Sequence, residues 1–395
     1  MDRLIRRFDA IADADLRICE ARGIAYQHKM AVGRVPYDAS YLAKVEAYEG
    51  TEIARAVNRG RVELLQRHLP EGSPVLDIGA GTGAFVHEAR RAGFEAKGYE
   101  VIPGAVERLK VAELYAEDPG EFLAVTLWDS IEHMDAPEVV LKRVRRSASL
   151  FASIPVFEDL RAIRGSKHYR PGEHLYYWTE QGFVDWMALY GFRLLQTSAH
   201  ERRAGRENIG AFAFRRDLPD YHDHVAAYQE MHAGRFYGGS STELHLETVA
   251  GVVRRLGPGS ILDYGCGRSD LVAHFWRDGK RQIARYDPAI PTLKELPPRR
   301  FDLTLCCDVL EHVPMADIDR VLAEVRATAD VVLFTISTKP ARARLPDGRN
   351  AHVTLLTRGE WMRWVGDVFG VVEALPSKWD HELVLLAGQP RKGAA

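Results

Sequence analysis

The 395-residue sequence is poor in cysteine, with four in all, and none has the spacing of a metal-binding or redox motif. Cys306 and Cys307 are adjacent within an apolar run, so we expect buried thiols there. This usage fits a reducing compartment and predicts a cytoplasmic protein. It does not indicate a secreted domain held together by disulfides.

Long apolar runs are also missing. No stretch approaches the roughly 20 apolar residues that a membrane helix needs. The N-terminal segment mixes acidic and basic residues at helical spacing, which is the pattern of neither a signal peptide nor a membrane anchor. We therefore expect no membrane partner.

The chain has no excess of one charge, since 53 basic and 55 acidic residues leave a net charge of −2. This balance argues against a surface built as a whole to bind nucleic acid. Basic clusters occur at 142–146, 161–170 and 202–206. Their ordinary interpretation is a solvated face, and the alternative is a local basic groove.

The first half alternates between strand and helix patterns. Strands are predicted at 74–78, 96–100, 122–128, 150–154, 194–196 and 211–214. Helices are predicted at 2–23, 40–69, 84–92, 105–115 and 137–146. This alternation predicts an α/β fold with a mostly parallel sheet covered on both faces.

The second half repeats the same order, with strands predicted at 261–264, 283–287, 301–307, 331–336, 371–373 and 383–387. Matching residues recur at a steady offset: 186 positions from Asp77 to Asp263, 187 from Glu100 to Asp287, 179 from Asp129 to Asp308 and from His133 to His312, and 178 from His174 to His352. We infer an internal duplication. The expected domains are 1–218, a helical lid followed by an α/β domain, and 219–395, a shortened copy.

Glycines cluster where the first strand of each copy meets the next helix. Gly79, Gly81 and Gly83 allow a tight turn and the close approach of a ligand, because they have no Cβ. Glu100, at the end of the second strand, is placed to accept hydrogen bonds from the ribose hydroxyls of a nucleoside. Alone, this turn also fits a dinucleotide fingerprint.

Three features favour a different nucleoside. Asp77 lies inside the glycine motif, where its negative charge suits a sulfonium or amino group better than a pyrophosphate. Asp129 follows the fourth strand in the segment WDSIEHM. The late pair of strands also suits a sheet with a reversed edge.

VLDIGAGTG, Glu100 and WDSIEHM resemble the signature motifs of class I S-adenosylmethionine (SAM)-dependent methyltransferases. In the second half, ILDYGCG, YDPAI and CDVLEHVP resemble the same family, and this copy is similar to uncharacterised phage and bacterial methyltransferases. The resemblance implies two tandem Rossmann-like, doubly wound sheets, each of seven strands with the last strands antiparallel. It also implies that the cofactor SAM lies over the glycines, with Asp129 near its methionine end.

The resemblance places cofactor-binding residues in both copies. They are Asp77, Gly79, Gly81, Gly83, Glu100 and Asp129 in the first, and Asp263, Gly265, Gly267, Asp287 and Asp308 in the second. Tyr37, with Tyr41, is expected in a mobile flap over the ligand pocket. The remaining aromatic clusters are expected in the core.

The second copy departs from the family pattern. Ser269 replaces the third glycine, and only thirteen residues, four of them prolines, separate Asp287 from Phe301. That interval has no room for the helix and short strand that normally wall the adenine. The second domain is therefore either a working catalyst or a substrate-binding or scaffolding relic.

The chemistry-bearing candidates follow the fourth and fifth strands. Methyl transfer is an in-line displacement that depends on alignment, and a histidine suits removal of the acceptor's proton. His133 and His174 are candidate bases, with Asp129 and Glu132 as further candidate catalytic residues. Alternatively, Glu132 and His133 start and cap a helix and anchor a loop. A metal site formed by Asp129, Glu132, His133 and His174 is conceivable, but their spacing resembles no known ligand set, so no metal is predicted.

These features predict a SAM-dependent methyltransferase acting on a hydroxyl or amine of a small molecule, sugar or glycan precursor. The first domain is the expected catalyst. A nucleic-acid methyltransferase would need segments 161–170 and 202–206 to form one basic groove. A scaffold or binding protein would bind no cofactor in either half.

Overall fold

The structure, a computed structural model, describes residues 5–28, 33, 35–234, 241–270 and 282–389. The chain divides into two compact units, Met1–Leu218 and Pro219–Ala395. None of the helices within the described ranges is long and apolar enough to cross a bilayer. The four cysteines are free and buried.

The first unit contains ten strands and seven α-helices among its described residues. The strands are β1 (Ile11–Asp13), β2 (Leu16–Cys19), β3 (Ile24–Gln27), β4 (Pro74–Ile78), β5 (Glu95–Tyr99), β6 (Ala124–Trp128), β7 (Ser149–Pro155), β8 (Tyr176–Trp178), β9 (Phe192–Ser198) and β10 (Ile209–Arg216). The helices are α1 (Ala39–Glu49), α2 (Glu52–Gln66), α3 (Ala84–Arg91), α4 (Pro103–Val111), α5 (Pro137–Arg143), α6 (Glu180–Ala188) and α7 (His200–Arg203).

The predicted helix over 2–23 is wrong within the described residues. Strands β1, β2, β3 and β8 instead form an antiparallel sheet in that order. Leu16 and Ile18, two positions apart, both pack into a cluster with Ala25 and Tyr177. Burial at this spacing belongs to a strand, and the mixed charges only resemble a helical pattern.

The predicted helix over 40–69 is divided in two. Asp38 caps α1 by accepting hydrogen bonds from the backbone N–H groups of Ser40 and Tyr41, at 2.9 and 3.2 Å. The Thr51 hydroxyl oxygen caps α2 by accepting from the N–H of Ala54 at 3.1 Å. This second cap starts a new helix immediately after Gly50.

The central sheet of the first unit has the order β5-β4-β6-β7-β10-β9. Strands β4 to β7 pair in parallel, whereas β10 is antiparallel to both β7 and β9. This confirms the doubly wound fold with a reversed last strand. The sheet has six strands rather than seven, because the short strand expected after α4 is reduced to one bridge between Gly98 and Tyr115.

The second unit repeats this architecture. Its strands are β11 (Ser260–Tyr264), β12 (Gln282–Tyr286), β13 (Leu303–Cys307), β14 (Val331–Ser337), β15 (Val372–Leu375) and β16 (Glu382–Gly388). Its described helices are α8 (Tyr221–Ala233), α9 (Ser241–Leu244), α10 (Leu246–Leu256), α11 (Ile318–Thr328) and α12 (Arg358–Phe369). The sheet order, β12-β11-β13-β14-β16-β15, matches that of the first unit strand for strand.

The second unit is shorter between β12 and β13, as the sequence predicts. No helix lies between β12 and β13, a stretch that the structure describes throughout, whereas α4 fills this position in the first unit. In both units the strand that follows this interval is buried at every residue, β6 in the first and β13 in the second. Each sheet is therefore covered on both faces at its centre.

Candidate active site

The turn from β4 to α3 has backbone conformations with positive φ angles, which favour glycine. Gly79, Gly81 and Gly83 have φ angles of 82°, 56° and 90°. A Cβ at Gly79 would lie 2.7 Å from the Cβ of Ser130, which follows β6. The turn thus lies directly against the end of β6, with no room there for a side chain.

Glu100 holds this turn in place. Its carboxylate is buried, and it accepts a hydrogen bond from the N–H of Gly81 at 2.8 Å. Its other oxygen accepts from the N–H groups of Val101 and Ile102, at 2.6 and 3.2 Å. The predicted acid and the predicted glycine are therefore neighbours, and the ribose contact of Glu100 stays a prediction.

Asp77 lies beneath the turn and is 3% exposed. It accepts a hydrogen bond from the Thr126 hydroxyl at 2.5 Å, across the pairing of β4 with β6. Burial raises the pKa of Asp77 to about 7. Asp263 is also buried in the second unit, and burial again raises its pKa to about 7, but its donor, the Thr242 hydroxyl at 3.0 Å, lies on α9 rather than on a neighbouring strand.

Helix α1 covers the glycine turn from above. Its last residue, Glu49, accepts a hydrogen bond from the Thr82 hydroxyl within the turn. A Cβ at Gly81 would lie 3.1 Å from Val45 and 3.3 Å from Glu49. Burial raises the pKa of Glu49. Sequence reasoning missed Glu49, because nothing in its own segment marks it as facing a turn that lies thirty residues further along the chain.

Asp129 ends β6 in a left-handed conformation, with φ of 51°. One of its carboxylate oxygens pairs with Arg61 at 2.8 Å and with Arg206 at 2.7 Å. The same two arginines pair with Glu201, at 2.8 and 2.7 Å. The guanidinium groups of Arg61 and Arg206 keep the pKa of Asp129 below its ordinary value.

This ion-pair cluster was not predicted, since its members are far apart in the sequence. Arg61 lies on α2 among polar residues and carries no signal of burial, yet it is 8% exposed. Helix α2 packs closely against α7 at Gly60. A Cβ at Gly60 would lie only 2.8 Å from the Cβ of His200. The Arg61 guanidinium also lies 4.9 Å from the ring centroid of Trp128. A buried arginine thus reaches the end of β6 through a contact that only the fold creates.

Glu132, His133 and His174 come together beyond Asp129. The potential ligand atoms of the three lie within 4.8 Å of one another. The two imidazole rings meet edge to face, with centroids 4.6 Å apart. The N–H of Leu175 donates to the carbonyl of Glu132 at 2.7 Å, which fixes the segment of His174 against that of Glu132. We call this set the first triad.

Burial governs the protonation of the first triad. It lowers the pKa of His174 to about 2, with His133 adding to the effect, and it also lowers the pKa of His133. Burial and the charge of Asp129 raise the pKa of Glu132 well above its ordinary value. Both imidazoles are therefore neutral near pH 7.

The helix-capping part of the alternative for Glu132 and His133 is wrong, whereas both residues do contact the loop that leads to His174. These residues form a separate 3₁₀ turn, Ile131–His133, and α5 begins only at Pro137, with Ala136 as its N-cap and no side-chain capping bond. The Glu132 side chain points into the protein, where it is 1% exposed.

The second unit builds an equivalent turn. Gly265 and Gly267 have φ angles of 69° and 53°. Asp287 accepts from the N–H groups of Gly267 and Ala289, each at 2.8 Å, as Glu100 does in the first unit. Ser269 closes the turn with an N–H bond of 3.0 Å to the carbonyl of Cys266. A pocket opens beside the turn, and its lining includes Tyr228, His232, Gly265, Gly267, Asp287, Asp308 and His312.

Asp308 occupies the place of Asp129, with φ of 52°, but a histidine replaces the arginines. His245 lies between two carboxylates, with Nε2 3.2 Å from Asp308 and Nδ1 3.3 Å from Glu382. Both ring nitrogens of His245 are thus engaged, and Asp308 raises its pKa. The Thr335 hydroxyl donates to the second oxygen of Asp308 at 2.8 Å.

A second triad lies beyond Asp308. The potential ligand atoms of Glu311, His312 and His352 also lie within 4.8 Å of one another. The two rings again meet edge to face, with centroids 4.8 Å apart. The counterparts inferred from the sequence offsets are therefore counterparts in space.

The aromatic residues expected in the core are only partly found there, because Tyr48 is exposed, while Phe236 and Tyr237 lie outside the described residues. Tyr176, Tyr177, Trp178 and Trp186 are buried. Tyr37 is partly buried, with its ring 4.8 Å from that of Tyr41 and 6.4 Å from that of His133. Its position is thus beside the first triad, and its contact with the cofactor stays a prediction.

The basic segments are largely paired within the protein. Arg161 pairs with Glu20, Arg164 with Asp13 and Asp15, Lys167 with Glu207, Arg170 with Glu173, and Arg206 with Asp129 and Glu201. Acidic partners thus neutralise many of the charges on which a nucleic-acid groove would depend.

Comparison with known proteins locates the family in the first unit. A family model described as a methyltransferase domain matches residues 47–197. Among curated proteins, no sequence matches the chain.

Several solved structures are similar to less than half of the chain. A SAM-dependent methyltransferase from Thermotoga maritima, described as a possible histamine N-methyltransferase, is 17% identical; the match covers 45% of this chain and 97% of that one, with a TM-score of 0.35. The magnesium protoporphyrin IX methyltransferase from Synechocystis with bound SAH is 14% identical, with 46% and 96% covered and a TM-score of 0.35. A glycopeptide N-methyltransferase is 16% identical, with 42% and 90% covered and a TM-score of 0.32.

The ion-pair cluster predicts a large effect of Arg61→Met. The substitution leaves two carboxylates facing the single guanidinium of Arg206, so we expect the free energy of unfolding of the first unit to fall by about 3 kcal/mol. Urea denaturation of the intact protein measures this. Arg59→Met, an exposed change on the same helix, should cost less than about 0.5 kcal/mol. Equal effects of the two substitutions would contradict a structural role for the cluster.

Asp77 predicts a pH-dependent effect on stability. Its pKa is raised in the folded state, so its contribution is favourable at low pH and is lost as the pH rises from about 4 to about 7. Asp77→Asn cannot ionise, and its stability relative to wild type should rise by about 2 kcal/mol between pH 5 and pH 8. Thermal unfolding at both pH values measures this. Glu95→Gln, exposed on β5, is the control, and a pH-independent difference for Asp77→Asn would refute the prediction.

Proposed function

We propose that the first unit is the catalyst of a SAM-dependent methyltransferase, because a methyltransferase family model matches residues 47–197 and the sheet has the order and reversed last strand expected of the class I fold. The acceptor is a hydroxyl or amine of a small molecule, sugar or glycan precursor. The observation that carries the proposal is the position of the first triad, just beyond the β6 end that lies against the glycine turn.

The cofactor would lie over the turn formed by Gly79, Gly81 and Gly83. Glu100 supports this position because two backbone N–H groups already orient one of its oxygens and one N–H orients the other. An ionised carboxylate has about four lone-pair sites, so the oxygen that faces Gly81 can accept a further bond from a ribose hydroxyl. Asp77 and Asp129 lie on the side expected for the methionine end.

SAM supplies a methyl group on a positively charged sulfur, and the protein's task is alignment and proton removal. An O–H or N–H acceptor that gains the methyl group must lose its proton. His133 and His174 are neutral near pH 7, and a neutral imidazole has a lone pair that can accept a proton. Asp129 is better assigned to positioning, because two arginines hold one of its oxygens.

The charge pattern supports a small acceptor over nucleic acid. Much of the segment 161–170 is ion-paired, and Arg206 is engaged by Asp129 and Glu201. Basic side chains that already have acidic partners gain little from a phosphate backbone, because displacing those partners has its own cost.

The second unit keeps the acid, the turn and the triad but lacks a counterpart of α4. In the first unit, Ile102 and Ala105 at the start of α4 pack with Leu42 of α1 and form one wall beside Glu100. Without that wall, we propose that the second unit binds SAM more weakly than the first.

Calorimetric titration of SAM tests which unit binds the cofactor. We expect Glu100→Gln to weaken the tighter site roughly 10- to 100-fold, because the charged acceptor for the ribose and the turn is lost. Asp287→Asn, the matched change in the second unit, should leave that site unchanged. Glu95→Gln is the control on the same strand as Glu100. If only Asp287→Asn loses the tighter site, that site lies in the second unit, and our assignment of the catalyst to the first unit is wrong. If the wild-type protein does not bind SAM, the whole proposal is overturned.

Transfer of a labelled methyl group tests the acceptor class. With labelled SAM and a fractionated cell extract, we expect label in the small-molecule fraction and none in nucleic acid. In parallel, binding of duplex and single-stranded DNA or RNA should be weak at low salt and show a shallow dependence on salt. Label in nucleic acid, together with an affinity that falls steeply with salt, would replace this proposal with the nucleic-acid alternative.

A further inference from the structure

Glu132 has a buried carboxylate with one oxygen that lacks a hydrogen-bond partner among the described residues. Its side chain is 2% exposed, and the oxygen without a partner is Oε2. Its Oε1 lies 4.0 Å from the Nε2 of His133, beyond hydrogen-bonding distance. A buried carboxylate oxygen without a partner is costly, and a proton, a paired cation or a metal ion can offset that cost.

The nearest arginines do not supply that cation. Arg61 and Arg206 carry two positive charges, and Asp129 and Glu201 carry two negative charges within the same set of contacts of 2.7 to 2.8 Å. The cluster is therefore balanced without Glu132. Any further positive charge at the first triad has to come from a bound group.

The histidines complete a set of donors around this carboxylate. His174 is 4% exposed, and its Nδ1 is buried without a hydrogen-bond partner among the described residues. Together with Glu132 and His133, it provides two imidazoles and one carboxylate, with ligand atoms within 4.8 Å of one another. This separation allows the three to contact one ion of 2.0 to 2.2 Å bond length after small side-chain rotations.

The duplication provides an independent observation. In the second unit Glu311 is fully buried, its Oε1 accepts from the N–H of Ser337 at 2.8 Å, and its Oε2 has no partner among the described residues. His312 and His352 meet at nearly the same ring distance and angle as His133 and His174. The same unsatisfied carboxylate thus faces the same pair of imidazoles twice in one chain.

Backbone carbonyls orient three of the four imidazoles. The Nδ1 of His133 lies 3.2 Å from the carbonyl of Glu173, that of His312 lies 3.0 Å from Ala351, and that of His352 lies 2.6 Å from Lys339. A carbonyl can only accept, so the Nδ1 atoms of His133 and His352 carry the proton and their lone pair lies on Nε2; the Nδ1 of His312 also lies 2.7 Å from the Tyr228 hydroxyl, which can donate or accept. Histidine ligands of metals commonly have this arrangement.

We propose that each triad, Glu132–His133–His174 and Glu311–His312–His352, binds one divalent first-row transition metal ion. Two nitrogen ligands and one oxygen ligand favour zinc, manganese, iron or cobalt over magnesium or calcium, which prefer oxygen ligands. Three protein ligands leave at least one coordination position open. The His245–Asp308–Glu382 cluster is excluded, because both nitrogens of its single histidine already face carboxylates.

The ion has a function only if the proposed methyl transfer is correct, and this part rests on that proposal. An acceptor hydroxyl at the open position would lose its proton to a solvent water more readily, because the positive charge stabilises the alkoxide. The histidines would then act as ligands rather than as bases. The metal site itself does not depend on the acceptor.

Metal binding is measured without SAM or acceptor, so its failure is distinct from failure of the methyltransferase proposal. The intact protein is stripped with a chelator, and equilibrium dialysis against Zn²⁺ with elemental analysis gives the bound ions per chain. We expect two for wild type, one each for Glu132→Gln and Glu311→Gln, and none for the double variant. Each site should weaken by at least about 100-fold on loss of its carboxylate. Glu158→Gln, an exposed carboxylate of the first unit, should retain two.

Three results would overturn the proposal. The first is a double variant that binds as much Zn²⁺ as wild type, which would indicate an adventitious ion only. The second is a stripped wild-type protein that binds no Zn²⁺. The third is equal binding of Mg²⁺ at the same concentration, which would reject the metal class.

Circular dichroism checks the fold of each variant, and His174→Gln tests the first site if Glu132→Gln does not fold. Co²⁺ provides a second measurement, because its visible absorption reports nitrogen ligation and should be halved in either single variant.

Discussion

The first unit depends on the pairing of Asp129 with two arginines, of which Arg61 is buried and Arg206 is half-buried. Asp129 has a positive φ, an uncommon conformation for a residue other than glycine, and the ion pairs with Arg61 and Arg206 hold it there. That bend turns the chain out of β6, so that Ser130 lies against Gly79 and the triad begins two residues later. The glycine turn and the triad therefore meet because a charged cluster, built from three separate segments, fixes the strand end between them.

The second unit reaches the same geometry by different means. Asp308 has nearly the same φ angle as Asp129, but His245 and Thr335 hold it instead of arginines. A histidine between two carboxylates has a raised pKa and takes the positive charge that arginine carries without titrating. Both units thus share the backbone bend at the aspartate. The positive group that pairs with this aspartate differs, being arginine in the first unit and histidine in the second. This explains how the two copies keep one site geometry while their neighbouring residues differ.

Local patterns in the sequence predict the two sheets and the turns, because strand alternation and glycine spacing are local consequences of backbone geometry. They fail at residues 5–27, where mixed charges imitate a helix although Leu16 and Ile18 are buried as in a strand. They also fail for Arg61 and Glu201, whose partners are brought close only by the contact of Gly60 with His200. The sequence allows Glu132, His133 and His174 to be grouped with Asp129 as metal ligands, but it does not favour that grouping, since adjacent ligands and a third 41 positions away match no known spacing.

Comparison of the two units also separates two possible roles of the triad, contact with the nucleoside and binding of a cation. The second unit has no helix between β12 and β13, and with it lacks a wall expected beside the adenine, yet Glu311, His312 and His352 keep the arrangement of the first triad. The triad is thus kept in a unit in which one expected wall of the nucleoside site is missing. Its persistence, with a buried and unpartnered carboxylate oxygen in each copy, indicates a requirement of its own. Binding of a cation is the requirement that satisfies the carboxylate and both imidazoles at once.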